Sequence, residues 1–221
     1  MIQWRSHTQR ASNNAVEAMQ SMLRYADEKG KTRHLNKTDY ETFEKAVYYY
    51  DLKEEIAYQE RDGVLEPRLP NGLSKEEVYK QIDSLDINDE VKQALNKRRQ
   101  LWKQVVADYV EYNRQIGFDT ENKFQRQDYY RHQVIDYMTD TNPATVKKRG
   151  MEVNASRAFL KKRYGSELSI NTNFVSVEFM ALQQIMYDTY VAKTLADIKR
   201  HYDKKPEFAL RAKELNNDNI N

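Results

Sequence analysis

Between Thr172 and Tyr202 the first two-thirds of one predicted helix is apolar almost all round: Phe174, Val175, Val177, Phe179, Met180, Leu182, Ile185, Met186, Tyr187 and Val191. A helix without a polar face belongs inside a bundle, so the rest of the chain must supply elements that cover it. Those elements are expected to be helices. The 221 residues include only six Gly and four Pro, whereas strands need a tight reversal roughly every 8 to 12 residues. The predicted fold is therefore all-α, an irregular multi-helix bundle around a buried C-terminal helix. A chain of this size can bury roughly 70% of its unfolded surface, which leaves room for a core. That holds although 32% of the residues are charged, because Tyr and long charged side chains cover a core with their apolar stems.

Cap and break signals divide the chain. Ser12 opens a helical pattern with Val16, Met19, Leu23 and Ala26 on one stripe, and Gly30 is placed to close it. Thr38 and Glu41 have capping-box spacing at the start of a helix from about Asp39 to Arg61. Pro67 and Pro70, between Gly63 and Gly72, mark a linker. Ser74 and Glu77 repeat the capping box, with Leu73 and Val78 at the spacing of a hydrophobic staple. The expected organisation is an N-terminal helical segment over 1–62, a Pro/Gly linker over 63–73, a helical body over 74–215 and a disordered tail over 216–221.

The clearest periodicity is Val91, Leu95, Arg98, Trp102, Val105, Tyr109, Tyr112 and Ile116, alternating steps of four and three as a bundle seam requires. Only Arg98 breaks it. A helix from Asp89 to Ile116 spans roughly 42 Å at 1.5 Å per residue, and its aromatic half offers a docking face for a protein partner. Further helices are expected at about Asn122 to Met138, around Val153 to Tyr164, and after Pro206. The run Tyr48, Tyr49, Tyr50 suits packing at helix seams.

Several classes are excluded by composition. With no Cys, disulfide frameworks and thiolate zinc sites cannot form. Mean hydropathy is −0.95, and no apolar run approaches the roughly 18 to 20 residues of a membrane span, so no membrane partner is expected. Met1 to His7 lacks a signal-peptide apolar region, which with the absent cysteines points to the cytoplasm of a host cell or a virion interior. No Gly-x-Ser-x-Gly elbow, phosphate loop or paired dinucleotide glycines occur, so neither classical acyl transfer nor a nucleotide cofactor is expected. No metal site is expected either. The four His are isolated, and Asp128, His132 and Asp136, four apart, read as a solvated helix face, as do Asp197 and His201.

The charge is uneven: residues 141–221 hold 14 Lys and Arg against 9 Asp and Glu. Within them Lys147, Lys148, Arg149, Arg157, Lys161, Lys162 and Arg163 face only Glu152. Such a run attracts phosphates and releases counterions, with Phe159 and Tyr164 available to stack on bases, so DNA or RNA is a candidate partner.

Tyr129-Tyr130-Arg131-His132-Gln133, followed by Ile170-Asn171-Thr172-Asn173-Phe174 and the Glu178-Phe179 pair, resembles a helical domain found within large polyvalent proteins of bacteriophages and conjugative elements. The resemblance covers about 124–203. It implies a helical accessory piece of a phage or mobile-element protein, in a family of unsettled activity, without the methylase, helicase or protease modules found elsewhere in such proteins.

Two residues in this stretch need a physical account. Asn171 is placed to cap the long helix, with Ile170 and Val175 as its staple. Glu178 sits among Val177, Phe179 and Met180 on a helix that should be buried, where an ionised carboxylate needs a partner; Arg149 and Tyr130 are the nearest by motif. A buried pair locking two helices is the expected role. The catalytic alternative is an enzyme of unknown reaction whose site is built from Glu178, His132, Arg149 and Asn173.

Overall fold

The structure, a computed structural model, describes residues 2–118 and 172–204, with side chains from Ser6 onward. Within them lie five α-helices, one 3-10 turn and one short hairpin: α1 (Ile2–Met22), β1 (Arg24–Ala26), β2 (Thr32–His34), α2 (Lys37–Arg61), the turn Pro70–Gly72, α3 (Lys75–Asp83), α4 (Asp89–Gln115) and α5 (Phe174–Asp203). The fold is mostly all-α, with α5 packed against α1 and α4. The helices predicted at 122–138, at 153–164 and after Pro206, and the tail 216–221, lie outside the described residues.

The first helix differs from its sequence pattern. It starts ten residues before Ser12, whose Oγ instead donates back to the Thr8 carbonyl at 3.0 Å. Its buried stripe is Ala11, Ala15, Ala18, Met19 and Met22, while Val16 is 45% exposed. Small residues occupy this face because they let α1 approach a neighbouring backbone closely. Nor does the helix continue through Ala26. Arg24, Tyr25 and Ala26 pair antiparallel with His34, Arg33 and Thr32. Asp27 organises the turn: its Oδ1 accepts from the backbone N–H groups of Lys29 and Lys31 at 3.0 and 2.8 Å, and its Oδ2 from Arg33 Nε at 3.1 Å. The Lys31 N–H, and next the Arg33 side chain, hold the Asp27 carboxyl below its ordinary value. Gly30, expected to close the first helix, is instead the left-handed residue of this hairpin turn, at φ 72°.

Helix α2 ends at Arg61 as predicted, but Asn36 rather than Thr38 is its cap, accepting from Asp39 N at 2.9 Å. An Asn at this position competes well with Thr and moves the start upstream. Asp39 also accepts from Asn88 Nδ2 at 2.8 Å, which ties the start of α2 to the start of α4.

The Pro/Gly segment is fastened to α2. Gln59, buried, accepts from Arg68 N at 3.0 Å and donates to Arg68 O at 2.9 Å through one side-chain amide. Leu69 and Pro70 are buried, and Asn71, at φ 59°, donates to the Tyr48 hydroxyl at 2.9 Å. A single hydrophobic core runs across this segment, from Met22 and Phe43 through Leu69 and Val78 to Tyr109 and Ile185. Helix α3 then starts with the predicted capping box, in which Ser74 and Glu77 satisfy each other's backbone N–H groups. Val78 is fully buried and Leu73 packs against the core, as a staple requires.

Helix α4 follows its sequence pattern to within a residue. Val91, Leu95, Arg98, Trp102, Val105 and Tyr109 are all buried. Along α5 the buried residues are Phe174, Val177, Glu178, Ala181, Leu182, Ile185, Thr189, Val191, Ala192 and Ala196. The apolar character of α5 exceeds its burial at four positions: Val175 is 51%, Met180 39%, Ile198 46% and Tyr202 43% exposed. Phe174 meets Phe43 of α2 edge-on at 5.1 Å between ring centroids. Contacts from Arg98 to Glu178, Tyr112 to Lys193 and Gln115 to Arg200 advance along both helices, so α4 and α5 run parallel. Those from His7 to Thr194 and Asn14 to Tyr190 run in opposite senses, so α1 is antiparallel to α5.

Candidate functional site

The chemistry-bearing residue that the structure resolves most fully is Glu178. It lies in the second turn of α5, facing α4, and is 1% exposed. Among the described residues its partner is Arg98; Arg149 and Tyr130, the mates expected from the motif, lie outside them. The guanidinium Nε donates to Oε1 at 2.8 Å and Nη2 to Oε2 at 2.9 Å, a two-pronged pairing that fixes direction as well as distance. Trp102, one turn further along α4, adds a third donor: its Nε1–H reaches Oε1 at 2.7 Å. The Arg98 guanidinium also lies 5.9 Å from the Trp102 ring.

Arg98 occupies a position that the α4 seam would otherwise give to an apolar residue, and Glu178 does the same on α5. Each irregularity accounts for the other. Taking a lone charge out of water costs several kcal/mol, and only a matched, hydrogen-bonded partner offsets that loss. The sequence holds the signal, an Arg in an apolar seam with Trp four residues on, but motif association points to a partner within the 124–203 stretch.

Around this pair the chemistry is that of a clamp. Both carboxylate oxygens are engaged by cationic or indole donors, and the group is closed to solvent. Asn173, the other described member of the catalytic set, is the cap of α5, not Asn171: its side chain accepts from Ser176 N at 2.9 Å. The cap sits two residues later than predicted because the helix begins at Phe174, whose ring is drawn into the α2 core. His132 and Arg149 lie outside the described residues, so the four-residue constellation is not assembled among them. The basic run of Lys147, Lys148, Arg149, Arg157, Lys161, Lys162 and Arg163 lies outside them as well.

Three other features bear on function. The 89–116 seam is core rather than docking face, since Trp102 and Tyr109 are 5% and 1% exposed and Tyr112 is half-buried beneath Lys193. Burial first, and then the nearby Asp188 charge, push the Tyr109 hydroxyl up to about 12. On α2, Asp51, Glu55 and Gln59 form a buried polar row at one-turn spacing, in which Gln59 Nε2 donates to Glu55 Oε1 at 2.8 Å. Tyr48 is buried and Tyr49 and Tyr50 pack against the core.

Among the described residues no group of three or more His, Asp or Glu is placed to hold a metal ion, and no described helix is long and apolar enough to cross a membrane. Asp197 pairs with Arg200 at 3.1 Å, while His201 lies edge-on to Tyr202. Comparison with protein-family models, curated proteins and solved structures found no significant match.

Proposed function

We propose that this chain is a non-catalytic helical accessory and interaction domain of a phage or mobile-element protein, which contacts nucleic acid through its basic 147–163 segment. The observation that carries the first half is the engagement of Glu178. The carboxylate that a catalytic site would need is dry and held by Arg98 and Trp102, while its companion Asn173 caps a helix. Residues used in this way hold an architecture together and leave function to the surface.

The second half is supported by charge. Seven Lys and Arg within 17 residues, opposed by Glu152 alone, form a phosphate-attracting stretch with Phe159 and Tyr164 interleaved. The resemblance of 124–203 to domains carried by polyvalent proteins agrees with a place in the host cytoplasm or virion interior. A protein partner at 89–116 is the weaker alternative, since the aromatic residues that would have carried it are largely consumed by the core.

The test is titration of the full chain with labelled single- and double-stranded DNA and RNA over a salt series. The expected result is affinity falling steeply and log-linearly with salt, and its loss when Lys147, Lys148, Arg149, Lys161, Lys162 and Arg163 are all replaced by Gln. Equal affinity in the variant removes the basic segment from the interface, and no binding at low salt overturns the nucleic-acid role.

A further inference from the structure

Helix α5 is held from two sides by different means, and over Ser6 to Glu17 the side chains that α1 buries are small. Between Ser6 and Glu17, α1 buries only the methyl groups of Ala11 and Ala15, with larger apolar anchors, Met19 and Met22, confined to its end.

The cross-links of α1 to α5 in that stretch include half-buried hydrogen bonds. Asn14 Nδ2 donates to the Tyr190 hydroxyl, Gln183 Nε2 donates to Ser12 Oγ, and His7 Nε2 lies 3.0 Å from Thr194 Oγ1. Thr194 Oγ1 already donates to the Tyr190 carbonyl at 2.9 Å, so the hydrogen in the His7 contact is on the imidazole Nε2. Arg10 adds a guanidinium 4.8 Å from the Tyr190 ring.

Half-buried hydrogen bonds and small buried groups are the attributes of an element that opens ahead of global unfolding.

We infer that the part of α1 from about Ser6 to Ala15 is a displaceable strap. It lifts from the Gln183–Thr194 stretch of α5 as a unit, hinging ahead of Met19 and Met22, while the α2–α4–α5 core stays folded. The inference is independent of what the 147–163 segment binds, because it rests on the contacts between α1 and α5 alone.

The absence of cysteine makes the test direct. Ala11 and Ala94 are both fully buried, on α1 and α4 respectively, and either accepts a thiol with little change in volume. Labelling of the native full chain is expected to be at least roughly tenfold faster for Ala11→Cys than for Ala94→Cys, with a rate insensitive to sub-denaturing urea. Hydrogen exchange on the unsubstituted chain guards against a thiol that itself loosens the helix. The amides of Ala11 to Ala15 should exchange through a low-urea-dependence opening, and those of Leu95 and Ile185 only with global unfolding. Matching protection in α1 and α4 overturns the strap, whatever the thiol rates.

Discussion

The two faces of α5 divide the work of folding differently. Toward α4 it offers Leu182, Ile185 and a carboxylate gripped by three donors in a dry seam. Toward α1 it offers Gln183, Tyr190 and Thr194, which meet polar partners at half-buried positions between alanines. Hydrophobic area sets how strongly two helices associate, whereas a directional buried pair sets which residues must face one another. The α4 side has both, whereas over Ser6 to Glu17 the α1 side has little of either. One neighbour is thus fixed in register and the other is held close but lightly.

The strongest way to break this contrast is to remove one half of the buried pair. Replacing Glu178 with Leu leaves the Arg98 guanidinium uncompensated, and urea denaturation should record a loss of about 3 to 5 kcal/mol. The combined variant Arg98→Met, Trp102→Phe, Glu178→Leu should recover most of that loss, because the donors that faced the carboxylate are removed with it. If the combined variant is as damaged as the single one, the clamp is not what distinguishes the α4 seam.

Alkali probes the same seam through Tyr109. Its hydroxyl is pushed up to about 12 in the folded chain, whereas an unfolded tyrosine ionises near about pH 10. Stabilisation from keeping it neutral is fully present below about pH 10 and is lost as the pH rises toward about 12. Tyrosinate absorbance should show late-ionising groups that titrate together with loss of helical circular dichroism, and Tyr109→Phe should remove one of them. Ionisation of all tyrosines before any loss of helix would contradict a dry α4–α5 seam.

The smallest effect belongs to the α1 side. Asn14→Ala deletes the hydrogen bond to Tyr190 and should lower global stability by no more than about 0.5 to 1 kcal/mol. It should nonetheless speed thiol labelling at Ala11→Cys severalfold. A loss as large as that for Glu178→Leu would place α1 in the same cooperative unit as α4 and erase the difference between the two faces.

Features that depend on nearby residues are legible in the sequence. The seam from Val91 to Tyr109, the Ser74–Glu77 cap and the end of α2 follow from periodicity and cap chemistry within a few turns, and all three are present. What escapes local rules is settled by contacts distant along the chain. Asn173 rather than Asn171 caps α5 because Phe174 is fixed by Phe43 of α2. The expected Val16 stripe yields to alanines because α5 lies close by. Local pattern shows that Glu178 needs a cation and that Arg98 is an oddity, yet 80 residues of chain separate them, and nothing short of the fold joins the two. The Leu23–Ala26 continuation fails for a local reason, the grip of Asp27 on the following turn, which a helical stripe does not register.

Gln59 also has a bearing on how far the chain depends on its own continuity. Its amide pairs with both polar groups of the Arg68 main chain, much as a neighbouring β-strand residue would. Just upstream, Leu65 is 95% exposed in the loop. A peptide bond cut between Leu65 and Glu66 would therefore leave both new ends anchored, and the severed pieces would stay together as a non-covalent heterodimer. Two separately made fragments meeting at that point are suited to reconstitute the whole.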